Sequence, residues 1–375
     1  MLKLYFNYKD VFRAARLGLS PKKLWVMGCG LVLGFVGYGI FGYLAHLASG
    51  RALADVWAIF GLVPLPWGDF SAPAWLLWGV GALLFLLCYL MAATVVARIT
   101  TEQLQGNEFY EAKEGVAFLR ANWQGVVGGP LVLVLFIVLL LAGGLVLGLW
   151  GRIPVLGEWT VALLTVPAYF VCLFMAFLLA ALLVGVVYAP AIVAASKSDT
   201  FDSLFETFSC ITGQPWRLVL YSGLLKFVAG AGSLVFAAFT AVALGLGFRT
   251  LALAMGPAFV DIATAAFINY TPGWVLNLLI KLGEGALPMQ LLTGAPDLNW
   301  AGQVAAFVMG ISINLVRVLL LSYLLSTWVA GQTIIYGILV MKRDERNIFL
   351  KPEEKTGPEP APAEEPVQPA KAKKK

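Results

Sequence analysis

The residues with the widest chemical repertoire are few and scattered. His46 is the single histidine of the 375-residue chain, so no histidine set exists to hold a metal, and its place at the end of an apolar run reads as a satisfied interfacial side chain. Cys29, Cys88, Cys172 and Cys210 share no short spacing of the kind that binds zinc or builds a disulfide scaffold. They fall in or beside apolar runs, where a thiol serves as a small packing group. The acidic group Glu102, Glu108, Glu111 and Glu114 is the best candidate for a divalent cation, yet it stands beside Lys113 and Arg120 and reads as a solvated charged face. No Gly-rich phosphate cradle, His-Glu-x-x-His helix or Gly-x-Ser-x-Gly elbow occurs. The expectation is a chain that is not an enzyme, with no cofactor, no metal and no catalytic residue to name.

Two cations and a run of hydroxyls remain. Lys226 and Arg317 each precede a long uncharged stretch. Either could face an internal cavity and mark a path for anions or lipid headgroups, or sit at a membrane interface and extend its charge to water. Ser322, Ser326, Thr327, Gln332 and Thr333 follow Arg317, while Gly30, Gly34, Gly37 and Gly39 lie near the start of the chain and Gly144 and Gly148 form a further pair. Such spacing lets helices approach closely and hydrogen-bond to one another. Close packing is one reading. A polar path lined by Ser322, Ser326 and Thr333, with Lys226 or Arg317 reaching inward, is the other.

The elements that must position these residues are membrane spans. Hydrophobic residues make up 60% of the chain and charged residues only 13%, against about a quarter charged in soluble proteins. Crossing about 30 Å of hydrocarbon takes about 20 apolar residues. Six stretches qualify, 24–47, 74–97, 126–149, 167–189, 227–247 and 318–340, and none contains Asp, Glu, Lys or Arg. Ion-coupled transport, proton pumping and intramembrane hydrolysis all need ionisable groups within the bilayer, so they are disfavoured. The first run starts too late and runs too long for a cleaved signal, which makes it an uncleaved first span. The predicted fold is all-α, a polytopic transmembrane helix bundle of about six spans within 24–350.

All but five of the 26 Lys and Arg residues fall on one side of such a bundle; the five are Arg51, Arg152, Arg249, Lys281 and Arg317. Basic residues are retained in the cytoplasm, so both termini are expected there, in a multi-pass protein of the cell inner (cytoplasmic) membrane. The pI of 8.9 and net charge of +5 are then the basic bias of cytoplasmic loops, and no nucleic-acid partner is expected. Residues 1–23 read as an amphipathic interfacial segment. Residues 351–375, rich in Pro, Glu and Lys, read as a disordered tail. The stretches 251–268 and 274–292 are apolar but broken at Gly256-Pro257 and Thr271-Pro272-Gly273, which predicts a helical hairpin on or dipping into the outer face, or two further short spans.

Three cytoplasmic stretches, 5–25, 108–123 and 199–216, are amphipathic, carry aromatics and end in Trp25, Trp123 and Trp216. In the third, Phe201, Leu204, Phe205 and Phe208 fall at helical spacing on one face. With Trp216 that face could dock a membrane or cytoplasmic protein, or anchor its hairpin in the aromatic belt. Arg98-Ile99-Thr100 through Glu111-Ala112-Lys113-Glu114-Gly115 to Phe118-Leu119-Arg120, the stretch from Asp199-Thr200-Phe201-Asp202 through Pro215-Trp216-Arg217 to Tyr221, and Ile334-Ile335-Tyr336-Gly337-Ile338-Leu339 before Lys342-Arg343-Asp344 together resemble an uncharacterised group of bacterial polytopic membrane proteins. That group is distantly similar to the membrane domains attached to some glycerophosphodiesterases. The resemblance implies a helical bundle and carries no activity. Two functions follow as expectations: a non-enzymatic integral membrane protein that organises or assists an inner-membrane process through cytoplasmic-face contacts, or a passive permease or channel for a lipid or small solute.

Overall fold

The computed structural model describes residues 4–271 and 296–350, and these form helices without strands. In chain order they are α1 (Tyr8–Val11), α2 (Arg13–Gly18), α3 (Pro21–Ala48), α4 (Leu53–Phe60), α5 (Ala72–Leu104), α6 (Ala112–Trp150), α7 (Leu156–Leu163), α8 (Thr165–Ser196), α9 (Thr200–Gly213), α10 (Pro215–Met255), α11 (Pro257–Tyr270) and α12 (Trp300–Asp344). Six of them, α3, α5, α6, α8, α10 and α12, are long and apolar enough to cross a bilayer. The protein is an all-α polytopic membrane protein. The expected second arm of the hairpin, 274–292, and the expected tail, 351–375, lie outside the described residues.

Local chemistry sets where the helices begin. Proline occupies the first helical position of α3, α10 and α11, where its missing N–H costs nothing. The side chains of Asp199 and Asn299 accept from the amides of Asp202 (2.9 Å) and Gly302 (2.8 Å), capping α9 and α12. Gly256, at φ +69°, ends α10 in a backbone conformation that L side chains rarely adopt, and Pro257 restarts the chain as α11. α11 then folds back along α10, with Phe259 meeting Phe248 edge-on at 5.7 Å. In α6 a kink at Asn122 (φ −124°, ψ 15°) separates a short first arm from the long apolar segment beyond.

Small residues let α3 and α5 pack tightly. A methyl group on Gly30 would overlap Ala92, one on Gly34 would come within 2.9 Å of Phe85, and one on Gly37 would strike Leu84. Gly81 returns the arrangement from α5, facing Phe41 and Tyr38.

α12 is the axis of the bundle. It meets α2, α3, α5, α8, α10 and α11, and every residue from 329 to 340 is buried. A helix buried all round needs protein on every side, and α1–α2, α5, α8, α10 and the segment after α12 supply it through Val11, Leu104, Ile192, Leu225 and Phe349. Gly28 of α3 lies opposite Ser322 and Gly18 of α2 opposite Thr327, so residues 329–340 extend past the first turn of α3. They form the centre of what we call the basic end, where Lys22, Arg98, Lys113 and Arg343 gather. Toward the opposite end Leu139, Leu145, Phe170, Phe239 and Val242 are exposed, as lipid-facing side chains are.

The structure departs from the sequence reading in three places. The expected interfacial segment packs one side into the bundle over its described residues 4–23: Asp10, Val11, Ala14, Gly18 and Lys23 are buried and Ser326 Oγ donates to Gly18 O at 3.0 Å, while Tyr5, Tyr8, Phe12 and Leu19 stay exposed. Second, the last helix begins at Trp300, well before the expected 318, because Asn299 caps it there and Arg317 does not interrupt it. Third, the charge-free run 318–340 is unevenly enclosed by protein. Its second half belongs to the protein core of the basic end.

Gly18 supplies a direct test of that core. A Cβ there would lie 2.6–2.7 Å from the Thr327 backbone, whereas Gly245 on α10 has nothing within 4 Å. We expect Gly18→Ala to destabilise the purified protein by about 1–3 kcal/mol and to lower its unfolding temperature in detergent. Gly245→Ala should leave that temperature unchanged or raise it, and equal behaviour of the two variants would refute the close approach of α2 to α12.

Candidate functional site

The basic end gathers most of the side chains capable of polar chemistry, beginning with α9. Thr200 Oγ1 donates to Gln124 O at 3.1 Å, and Gly125 and Gly128 leave room for the chain to start α9 directly on α6. Ser203, Thr207 and Cys210, spaced at one helical face, are buried. Burial pushes the Cys210 thiol up to about 12, with the nearby Glu206 carboxylate acting in the same direction. At the far end of α9, Arg343 of α12 donates to Glu206 Oε2 at 3.0 Å, to Asp344 Oδ2 at 2.7 Å and to Ser209 Oγ. This clamp fixes α9 to the last turn of α12.

The predicted docking face divides in two. Leu204 and Phe208 turn into the cluster of Leu133, Ile137, Leu178 and Ala181, where Phe208 stacks on Phe177 at 5.8 Å. Phe201 and Phe205 are 62% and 68% exposed. Trp216 is exposed as well, with the Arg217 guanidinium 5.1 Å over its ring. Helical spacing gave the four α9 side chains as one stripe; in the structure two of them turn inward, because the small residues beside that stripe form the buried seam.

Where α5 meets α6 and α8 lies a buried ion pair. Arg98 Nη1 donates to Ala194 O at 2.8 Å, capping a carbonyl near the end of α8, and Nη2 meets Glu102 Oε1 at 2.5 Å. The guanidinium lies 4.6 Å over the Phe118 ring. The acidic group of the sequence is thereby dispersed: Glu102 serves the core, while Glu111 and Glu114 form a capping box at the start of α6. Among the described residues, no group of three or more His, Cys, Asp or Glu side chains stands close enough to hold a metal ion.

The five residues suggested for an internal path do not converge. Ser322 and Thr333 are buried and return their hydroxyls to their own helix, at Val318 O (2.6 Å) and Val329 O (3.0 Å), and Ser326 is taken up by Gly18. Lys226 is exposed on the outer side of α10. Arg317 is half-buried at the end of α11: Nη1 donates to Asn314 Oδ1 (2.9 Å) and Tyr270 O (3.5 Å), Nη2 to Thr271 Oγ1 (2.5 Å), and Phe267 lies 5.4 Å beneath it. A cation at a helix C-terminus satisfies orphan carbonyls and complements the dipole, so Arg317 staples α11 to α12. Its neighbour Val318 packs into the cluster of Met27 and Leu31.

At the opposite end His46 Nε2 lies 3.1 Å from Leu65 O, its ring stacked on Phe60 and edge-on to Phe70, beside Arg51 over Trp67. Two buried charges had no sequence signal as site residues. Lys23 donates to Leu17 O at 2.9 Å, and Asp10 accepts from Tyr5 N at 2.8 Å and pairs with Arg13 at 3.4 Å. Comparison with protein-family models, curated proteins and solved structures finds no match to this chain.

Arg98 and Glu102 are 9% and 8% exposed. Removing one partner strands a charge, so Arg98→Met should cost about 3–5 kcal/mol, whereas Arg98→Met with Glu102→Leu should recover most of that loss in thermal unfolding. A double variant no better than the single would show that the two side chains are not a coupled pair. For Cys210, a folded pKa above the ordinary 9.0 means that stability is unaffected below about pH 9 and falls as pH rises toward about 12. Cys210→Ala should lack that decline, and at pH 8.5 a maleimide should reach Cys210 only after unfolding.

Proposed function

We propose that this protein is a non-enzymatic component of the cell inner (cytoplasmic) membrane, oriented with the basic end and both termini in the cytoplasm, that organises or assists a membrane process by presenting its basic end to a membrane or cytoplasmic protein. One observation carries the reading. Elements at this end are immobilised from within, by the all-round burial of residues 329–340 and by the Arg343 clamp on α9, while Phe201, Phe205 and Trp216 point away from the bundle. Rigid, exposed aromatics are the side chains that carry most binding energy at protein interfaces. The hydroxyls that would line a path are used in packing, which supports a platform over a passage. The basic loops, with Lys113, Lys197 and Arg217 on one side of the bundle, support the orientation.

A second reading, passive passage of a lipid or small solute, draws support from Arg317 alone, since a cation held at the end of a folded-back helix within a bundle is a common feature of substrate paths. Crosslinking with mass spectrometry on native membranes, with the tag at the N-terminus, separates the two. The platform predicts reproducible crosslinks from Lys9, Lys113 or Lys197 to one other protein, lost in Phe201→Glu/Phe205→Glu. Self-crosslinks alone, together with solute or lipid flux in reconstituted vesicles that Arg317→Gln abolishes, would overturn it in favour of passage.

A further inference from the structure

A groove of about 550 Å³ opens sideways between α3, α5 and the first arm of α6. Its size falls within the about 300–1,000 Å³ of small-molecule sites. The walls are apolar, with Leu33 from α3, Met91 from α5 and Val116 from α6, and Trp25 stands at its edge. Lys113 and Arg120 complete the lining, and both side chains are exposed.

The arm that carries them is held in place from three directions. Gly115 packs onto Val95 of α5, the kink at Asn122 turns the arm away from the line of the span, and Lys22 Nζ donates to Tyr110 O (3.2 Å) and Glu108 O (3.4 Å) just before the arm begins. Lys113, Val116, Ala117 and Arg120 recur at three- and four-residue spacing, so one face of the arm is apolar along its middle and cationic at both ends. The buried or clamped cations of this end have partners: Arg98 has Glu102, Arg343 has Glu206 and Asp344, and Lys23 has the Leu17 carbonyl. Lys113 and Arg120 have no carboxylate within ion-pair distance among the described residues, although Glu111 and Glu114 are neighbours in sequence, because those two are turned to cap α6.

We propose that this groove is a binding site for one anionic phospholipid, with an acyl chain along Leu33 and Met91 and the phosphate held by Lys113 and Arg120. The charge pattern selects the occupant. A zwitterionic lipid would satisfy the walls equally well but would gain less from two unpaired cations, and a soluble anion would leave the apolar walls in contact with water. Basic residues at a membrane surface attract anionic lipid with an effect that for two side chains is on the order of tenfold or more. The inference does not depend on a protein partner docking at α9.

Native mass spectrometry of the full chain, purified in mild detergent and offered phosphatidylglycerol or phosphatidylcholine of identical acyl chains, tests it. The wild type should retain one phosphatidylglycerol about tenfold more readily than phosphatidylcholine. Lys113→Glu/Arg120→Glu should bring the two lipids within twofold of each other, while Lys9→Glu/Lys342→Glu, an equal change of charge elsewhere at the same end, should keep the preference. Ala117→Trp, which fills the groove and leaves both cations, should lose the retained lipid. Equal retention of the two lipids by the wild type would overturn the proposal. So would loss of preference in the Lys9/Lys342 variant, which would mean diffuse charge, or undiminished retention in folded Ala117→Trp, which would mean adsorption outside the groove.

Discussion

Burial of residues 329–340 of α12 on every side is the constraint from which the rest of the basic end follows. The segment is apolar apart from Gln332, Thr333 and the Tyr336 hydroxyl, and it runs past the start of α3. Protein must therefore be brought to it. Close approach is possible because glycines lie at the crossings: Gly331 admits Leu225 of α10, Gly337 admits Phe349, and Gly18 admits Thr327. α9 then lies between α6 and α8, with Glu206 under Arg343.

The two ends of the molecule consequently have different physical characters. At the basic end polar side chains are buried and mostly consumed: Thr94, Thr100, Thr101, Thr207 and Thr333 return to their own helices, while Arg98 and Ser326 reach across to neighbouring ones. Such bonds cost little where protein supplies the partners and would be expensive in lipid. At the opposite end the long segments of α6, α8 and α10 expose Leu, Val and Phe and carry little cross-helix hydrogen bonding. A platform needs rigidity on the face that meets a partner, and this gradient supplies it.

Much of this was legible in the sequence, and the parts that were not share a cause. Apolar run length marked the six helices that are long and apolar enough to cross a bilayer, because a bilayer imposes that length on any helix that crosses it. Gly256-Pro257 announced the break between α10 and α11, and the Gly30, Gly34 and Gly37 stripe announced the α3–α5 contact. Hydropathy cannot tell lipid from protein as the apolar surroundings of a helix, so 318–340 looked like a complete span, when half of it is protein core. For the same reason residues 1–23 looked interfacial, although Asp10, Lys23 and Gly18 are enclosed. Arg317 looked like the boundary of a span because its partners, Tyr270 and Thr271, lie far away in sequence. The site was legible as residue types and faces, Phe201 to Phe208 above all. Which side chains on that stripe turn inward was set by Ser203, Thr207 and Cys210, whose shared helical face carries no hydrophobic signal apart from one thiol.

Labelling from within the bilayer tests the enclosed core most directly. A hydrophobic diazirine dissolved in the membrane and activated by light inserts into side chains that lipid touches, and peptide mass spectrometry locates the adducts. The account predicts adducts at Leu139, Phe239 and Val242 and none across residues 329–340, on any face of that helix. Adducts in 329–340 at the density found on α10 would show that the last helix is an ordinary lipid-facing span, and the basic end would then lose the core on which its rigidity depends.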